Sequence, residues 1–477
     1  MTSRCRLALV LGVMVLSGCS DSFNAGTIEY SPNEELTAKL RNDDGKPKVE
    51  LQKRVESSLA AVFGPRPQEM IVPKGAGLPE GGARLADRAV IIGVNESPLR
   101  VAHLKDSAVA KGTKETVFLE GGYGLYRKHC LHCHGVSGDG KGPTAAFLWP
   151  RPRDYRKGVF KFTSTTGQKP TRSDMRRVLN YGIGNSSMPA FEALMSPAEL
   201  EQVIDYLIFL SARGETERRL IDEATVEDEP KDEKAESGIN KEKAMEVALA
   251  VFESWTQAET EVLNPPVPRT PSSTESVANG KKLFLGLGQP KLECAGCHGP
   301  RAKGNGPSFV AYSMFREVVF GGDPAEQDNR LDAYVEREAE RAVEDAEQEP
   351  EFAKIGSPGE RETKLTELKK AKSETLMRDW KSGSLDDWLN PLRPANINNG
   401  PATQYKGGRR PIDLYWRIAK GINGAKMPAH GSLLKPEQIW DLVNFVLALP
   451  FEPNLLDDAP ETVPPATTTP ATASVSP

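Results

Sequence analysis

Apolar residues recur at helical spacing in several parts of the chain and predict its main elements. From Val49 to Val62 an apolar position returns every third or fourth residue, which predicts an amphipathic helix. Gly64 and Pro65 follow this stretch and would end it. The stretches Pro197 to Leu210 and Pro436 to Leu449 each carry an apolar face with the same period. The chain is therefore expected to be mainly α-helical.

The last two of these helices close two copies of one repeated pattern. Each copy has a glycine and an aromatic residue, a Cys-x-x-Cys-His motif, a glycine-rich stretch, a Met-Pro-Ala triplet and the final helix. The glycine-rich stretches end at Pro143 and Pro307, nine residues past the motif histidine in both copies. The other matching positions are Gly122, Leu125 and Tyr126 with Gly280, Leu283 and Phe284; Arg151-Pro152 with Arg393-Pro394; Gly182-Ile183 with Gly421-Ile422; and Met188-Pro189-Ala190 with Met427-Pro428-Ala429.

The second copy is longer than the first. The motif histidine and the Met-Pro methionine are 54 residues apart in the first copy and 129 in the second. The added residues, at about 308–390, mix acids and bases, and Glu336 to Glu349 and Glu360 to Lys381 are predicted to be exposed helices. We interpret this insertion as a solvated surface feature, with a docking arm for a partner as the alternative.

The N-terminus has the pattern of an export signal. Arg4 and Arg6 precede an apolar run from Leu7 to Leu16, which is too short to span a bilayer as a helix. The run ends in Leu16-Ser17-Gly18-Cys19, which resembles the lipobox of bacterial lipoproteins. We therefore expect a signal peptide at 1–18, a lipid on Cys19, and a location on the periplasmic side of a bacterial membrane. An ordinary signal peptide with a chance cysteine is the alternative.

Composition and the repeat together predict the boundaries of the domains and linkers in the rest of the chain. Acidic and basic residues with few apolar positions predict a solvated linker from residue 214 to 240, and a helix follows from Lys241 to Leu263. The expected divisions are an N-terminal region without assigned role at 19–115, a first helical domain at 116–213, a charged linker with a helix at 214–273, a second domain at 274–450, and a disordered Pro/Thr-rich tail at 451–477.

Charge and cysteine content narrow the function. The 477 residues carry a formal net charge of -5 and no basic block, so nucleic acid is a poor candidate partner. The chain has 6 cysteines. Cys5 is lost with the signal peptide and Cys19 takes the lipid. The other four form two Cys-x-x-Cys pairs, so none remains for a structural disulfide bond.

Each cysteine pair is followed at once by a histidine, which is the attachment motif of c-type haem. The motifs are Cys130-Leu131-His132-Cys133-His134 and Cys294-Ala295-Gly296-Cys297-His298. Two thiols three residues apart on a helical turn reach the vinyl groups of one porphyrin, and the histidine then points at the iron. A zinc site with four cysteine ligands and a thioredoxin-like redox motif are the alternatives. The presence of both motifs in register favours two covalent haems.

Each iron needs a sixth ligand, and a thioether both raises the reduction potential and closes the iron to small molecules. Met188 and Met427 hold the same place in the two copies. Met175 and Met195 are rivals for the first iron, and His430 is an alternative for the second. The predicted iron ligands are therefore His134, Met188, His298 and Met427.

Each copy resembles a class I cytochrome c domain in its glycine, aromatic residue, Cys-x-x-Cys-His motif, Met-Pro loop and final helix. The resemblance implies that the first and last helices cross, which would bring Gly122 and Tyr126 near Tyr206 and Gly280 and Phe284 near Phe445. It also implies that a carbonyl at a proline after the motif holds the histidine's other nitrogen, a role that Pro143 and Pro307 match. The expected fold is two small helical domains of this kind, with a helical insertion in the second.

Ligation of both irons by histidine and methionine leaves no position for a substrate, so we expect an electron carrier rather than an enzyme. The predicted function is a membrane-anchored dihaem c-type cytochrome in a periplasmic respiratory chain, with redox proteins or a membrane respiratory complex as partners. Two alternatives stay open at this point. One is a haem enzyme such as a dihaem peroxidase or a sulfur-compound dehydrogenase. The other is a haem-bearing subunit that docks a larger respiratory complex.

Overall fold

The computed structural model describes residues 28–85, 91–94, 97–100, 121–306 except 149 and 293, 356–382, and 394–460 except 404, 426 and 453, with single positions between 336 and 352. The predicted signal peptide, Cys19, Pro307, most of Glu336 to Glu349 and the tail beyond residue 460 lie outside these residues. Within them, no helix combines the length and the apolar character needed to cross a membrane.

The described residues are mainly helical, as predicted. A small sheet that the sequence patterns did not predict lies in the N-terminal region, where β2 pairs in parallel with β1 and antiparallel with β3. The strands are β1 (Ile71–Pro73), β2 (Ile91–Val94) and β3 (Ser97–Arg100). The main helices are α1 (Glu34–Lys39), α2 (Val49–Phe63), α3 (Gly121–His129), α4 (Leu131–His134), α5 (Arg172–Tyr181), α6 (Pro197–Thr225), α7 (Lys241–Ala258), α8 (Thr274–Phe284), α9 (Cys294–His298), α10 (Pro358–Ser382), α11 (Pro411–Lys420) and α12 (Pro436–Ala448).

The first and last helices of each repeat cross, as predicted, and a glycine lies at each crossing. A Cβ atom added to Gly122 would lie 2.2 Å from the carbonyl oxygen of Gln202, and one added to Gly280 would lie 2.1 Å from that of Asp441. Only a residue without a side chain lets the two backbones approach so closely. The predicted aromatic pairs are also confirmed, with ring centroids 5.1 Å apart for Tyr126 and Tyr206 and 5.3 Å apart for Phe284 and Phe445.

A side chain at either crossing glycine should destabilise its domain. We expect Gly122→Ala and Gly280→Ala each to lower the free energy of unfolding by roughly 3 kcal/mol, because the helices must separate. Denaturant unfolding of the haem-loaded chain measures this change. Gly359→Ala is the matched control, since no atom lies within 4 Å of a Cβ placed there. Equal stability of all three variants would show that the glycines do not set the helix separation.

The N-terminal region packs into the core of the first domain. Helix α2 confirms the amphipathic helix predicted there, and Leu51, Val55, Leu59 and Val62 are buried in one cluster with residues of α3, α6 and α7. Asp205 of α6 is fully buried and accepts hydrogen bonds from Arg84 (2.7 Å) and Arg172 (2.6 Å). Because a buried charge is tolerated only when it is paired, this contact ties the N-terminal region to α6.

Helix α6 is longer than predicted, and its second half occupies residues that were expected to form a linker. The sequence pattern predicts an end at Leu210, but the helix continues to Thr225 and buries Thr216, Leu220 and Ile221. The prediction of a solvated linker beginning at residue 214 is therefore wrong for its first part. The reason lies in charge pairing. Glu215 is buried and accepts from Lys169 and from the indole nitrogen of Trp255, so its charge does not need water.

The second domain has its own core, formed by α8, α9, α11 and α12 together with Ile397 and Leu456. Within the described part of its insertion, α10 confirms the helix predicted at Glu360 to Lys381, and most of its described side chains are exposed. The residues before this domain follow its surface, with the indole nitrogen of Trp440 donating to the carbonyl of Val267 (3.1 Å). The linker is therefore attached to the domain that it precedes.

Candidate functional site

The first Cys-x-x-Cys-His motif forms one helical turn at the end of α3. The backbone nitrogens of Cys133 and His134 donate to the carbonyl of Cys130 over 3.1 and 2.9 Å. Such a turn places both thiols and the imidazole close together. The second motif forms α9, from Cys294 to His298. Each set of two thiols and one imidazole is what covalent haem attachment requires.

The imidazole of each motif is held through its Nδ1 nitrogen. The His134 Nδ1 lies 3.1 Å from the carbonyl oxygen of Arg153, and the His298 Nδ1 lies 3.0 Å from that of Ala395. With Nδ1–H donating to a carbonyl, Nε2 keeps its lone pair for a metal. Burial lowers the pKa of His134 to about 4, which keeps this ring neutral. Both histidines therefore have the orientation and the tautomer that an iron ligand needs.

These contacts correct the prediction for the prolines. The expected partner of His134 was the carbonyl at Pro143, but Arg153 takes that role, so the prediction for Pro143 is wrong. Pro307 lies outside the described residues, and Ala395 bonds His298. Arg153 and Ala395 both follow an Arg-Pro pair, Arg151-Pro152 and Arg393-Pro394, which the two copies share. That repeated pair was the sequence signal for the hydrogen-bond acceptor.

Glycines fold the chain back over each motif in the same way. The nitrogen of Gly140 donates to the carbonyl of His134 (3.0 Å), and that of Gly304 donates to the carbonyl of His298 (2.8 Å). A Cβ atom added to Gly142 would lie 2.4 Å from the carbonyl oxygen of His132. The glycine-rich stretch therefore lies directly against the motif, and this close approach explains its composition.

An aromatic residue that the sequence patterns did not single out completes the first site. The ring of Tyr155 stacks on His134, with centroids 4.6 Å apart and an interplanar angle of 17°. Tyr155 is 7% exposed, so it also shields the imidazole from water. In the second site Phe284 lies near His298, with centroids 6.3 Å apart and tilted planes. The two histidines therefore differ in their aromatic surroundings.

Met188 and Met427 lie in loops of the same construction. The Met188 carbonyl accepts from the nitrogen of Ile183, and the Met427 carbonyl accepts from that of Ile422, both over 3.1 Å. The loops begin at Gly182 (φ 65°) and Gly421 (φ 76°), where the left-handed backbone favours glycine. Both methionine side chains are partly buried. The two predicted ligands thus occupy equivalent places, as the repeat requires.

The rival ligands have different surroundings. Met175 and Met195 are 5% and 4% exposed and belong to the first hydrophobic core. His430 occupies the place that Phe191 has in the first copy, since the backbone nitrogens of both residues donate to the equivalent residue of the preceding helix. Among the described residues, its buried Nδ1 has no hydrogen-bond partner. His430 therefore remains an alternative to Met427. Met175 and Met195 are buried within the first core, whereas Met188 packs against that core from a partly buried position.

The alternatives of zinc binding and thiol redox chemistry fit the sites poorly. Burial raises the pKa of Cys130 and of Cys294 to about 12, which disfavours the free thiolate that thiol redox chemistry needs. Among the described residues, no three side chains of His, Cys, Asp or Glu cluster as a metal site would require. A c-type haem fits instead, because it takes the thiols as thioethers and the neutral imidazole as a ligand.

Each of the two repeats matches a known family of cytochromes. The family model described as cytochrome c oxidase, cbb3-type, subunit III matches residues 119–207, and the cytochrome c model matches residues 277–450. No curated protein matches the chain. Among solved structures, a chain of the reducing HAO-like protein complex of Kuenenia stuttgartiensis is 20% identical, and the match covers 68% of this chain and 93% of that chain with a TM-score of 0.38.

Proposed function

Because the chain carries two class I cytochrome c domains in tandem, each with a covalent c-type haem, we propose that it is an electron carrier whose two irons are both closed. His134 and Met188 would hold the first iron, and His298 and Met427 the second. The haem supplies the one-electron chemistry when bound. The chain's own residues orient the imidazoles, exclude water and fix the distance between the two sites.

The observation that supports this function best is the equivalence of the two methionine loops. Both loops follow a helix and a left-handed glycine, and both carry the same 3.1 Å hydrogen bond between Ile and Met. An enzyme would need at least one iron with an open position or an exchangeable ligand. Two loops of the same construction support closed ligation at both irons instead.

We further propose a location for this carrier. The pattern Leu16-Ser17-Gly18-Cys19 supports export and lipid attachment at Cys19, so the two haem domains would lie on the periplasmic side of a bacterial membrane. Redox proteins or a membrane-bound respiratory complex would then exchange electrons with them. Labelling of the expressed chain with a radioactive fatty acid, with Cys19→Ala as the control, tests the anchor separately from the electron transfer.

Carbon monoxide tests the closed-carrier proposal. We expect the fully reduced wild-type chain at neutral pH to keep its visible spectrum when carbon monoxide is added, because a thioether occupies the sixth position of each iron. Rapid binding of one carbon monoxide per chain at a native haem would contradict the proposal and favour a haem enzyme. Myoglobin, which has an open sixth position, serves as the positive control.

A further inference from the structure

The two haem domains meet through equivalent helices. Asp174 of α5 and Asp413 of α11 hold the same place in the two copies, and Arg177 lies between them, 3.2 Å from the first carboxylate and 2.6 Å from the second. The side chains of Arg177, Asp174 and Asp413 are 15%, 4% and 1% exposed. The guanidinium also lies 5.6 Å from the ring centroid of Trp416. Because separating these buried charges is costly, the domains are held in one arrangement.

The loop that carries Met427 contacts the first domain directly. Asn423 places its Nδ2 3.1 Å from the carbonyl oxygen of Phe160, 3.2 Å from that of Gly167 and 3.2 Å from the hydroxyl of Thr163. Lys420, just before the loop, also donates to Thr163. The position equivalent to Asn423 in the first copy is Gly184, which has no side chain to make such contacts.

The segment that Asn423 contacts leads back to the first haem site. The ring of Phe160 stacks on Tyr155, with centroids 6.0 Å apart and planes within 13° of each other. Tyr155 in turn stacks on His134 at 4.6 Å. A continuous path of contacts thus runs from the imidazole of the first site, through two aromatic rings and one amide, to the loop of the second site's methionine.

We propose that Asn423 is a positioning residue for electron exchange between the two haems. It holds the loop residues 421–425 against the segment 160–168, and we call this contact the junction. The inference rests on the proposed electron-carrier function and adds a route within the molecule. The step moves one electron from the ferrous iron of one site to the ferric iron of the other, and no bond forms or breaks.

The physical reason is the steep fall of electron-transfer rate with any gap between donor and acceptor. At the closed junction the Asn423 amide bonds the backbone carbonyl of Phe160, whose ring stacks on Tyr155 beside His134. Asn423→Ala removes the amide that closes it and leaves a gap in this path. The exchange rate should therefore fall several-fold, even though the buried Arg177 ion pair still joins the two domains.

The experiment reduces the haem-loaded full-length chain with a flash-activated ruthenium photoreductant that delivers less than one electron per chain. The two haems are first distinguished by redox titration. We expect a fast phase that depends on protein concentration, followed by an equilibration phase that does not. In Asn423→Ala this second phase should be several-fold slower. Asn264→Ala is the matched control, because among the described residues its amide nitrogen donates to the nearby Val262 carbonyl (3.3 Å) and not to the other domain.

A second variant tests the junction from the other domain. Thr163→Val removes the hydroxyl that both Lys420 and Asn423 bond, without altering the Met427 loop, and should slow the same phase. Near-infrared absorption of the ferric chain checks that both methionines remain bound. An unchanged equilibration phase in both variants would overturn the proposal, as would its absence from the wild type. Binding of carbon monoxide by the reduced wild type would instead refute the electron-carrier function.

Discussion

Met188→Leu and Met427→Leu should each open one iron and leave the other unchanged. Leucine keeps the volume of the side chain but removes the thioether, so the fold should survive at a cost below about 1.5 kcal/mol. The affected haem should lose its near-infrared methionine band and bind carbon monoxide when reduced. Its potential should fall by more than about 0.1 V, since axial ligands set haem potentials over roughly 0.8 V. Optical redox titration measures the band and the potential, and addition of carbon monoxide to the reduced chain measures its binding.

The same substitution at the rival methionines is the matched control. Met175→Leu and Met195→Leu should keep both haem spectra, because these side chains lie in the first core. His430→Gln should likewise leave the second haem unchanged. Loss of the methionine band in Met175→Leu or Met195→Leu would contradict the assignment of Met188. A second iron that stays closed in Met427→Leu and opens in His430→Gln alone would identify His430 as its ligand.

Removing one cysteine pair should halve the haem content. We expect Cys130→Ser combined with Cys133→Ser to leave one covalent haem per chain, on the second domain, because serine forms no thioether. The first core should also unfold more easily, since it would lose the group that His134 binds. Intact mass after acid extraction of loose haem counts the attached groups. Thermal unfolding followed by far-ultraviolet circular dichroism and by the absorption of the remaining haem shows which domain is destabilised.

The reciprocal pair, Cys294→Ser with Cys297→Ser, provides the comparison. The two domains have separate hydrophobic cores, so this variant should keep the first haem and destabilise only the second domain. Loss of both haems from either double variant would show that the two sites do not load independently. One zinc ion per wild-type chain, without haem, would contradict the attachment of haem altogether.

Features formed by residues at a regular spacing in the chain could be predicted from the sequence. The crossing of α3 with α6 and of α8 with α12 was implied by the resemblance to class I cytochrome c domains, and the structure has a glycine at each crossing. The Cys-x-x-Cys-His turns and the methionine loops followed from the repeat, whose residues lie at the same spacing in both copies.

Features that depend on backbone atoms or distant partners could not be predicted. The carbonyl that holds His134 belongs to Arg153. Every residue has such a carbonyl, so the residue type gave no sign of it, and only the repeated Arg-Pro pair before it marked its position. Helix α6 runs past its predicted end because the charge of Glu215 pairs with Lys169, which is distant in sequence. From composition alone, these charged residues were predicted to be exposed to solvent. The role of Asn423 likewise could not be predicted, because its hydrogen-bond partners belong to the other domain.

The measurement that tests the assignment most directly is an optical redox titration of the wild-type chain, with the covalently bound haem counted in the same sample. We expect two covalent haems and two reversible one-electron steps. Both ferric haems should carry a methionine band that disappears on reduction. A single haem, or a ferric spectrum with an open or water-bound iron at either site, would contradict two closed haems held by His134 with Met188 and by His298 with Met427.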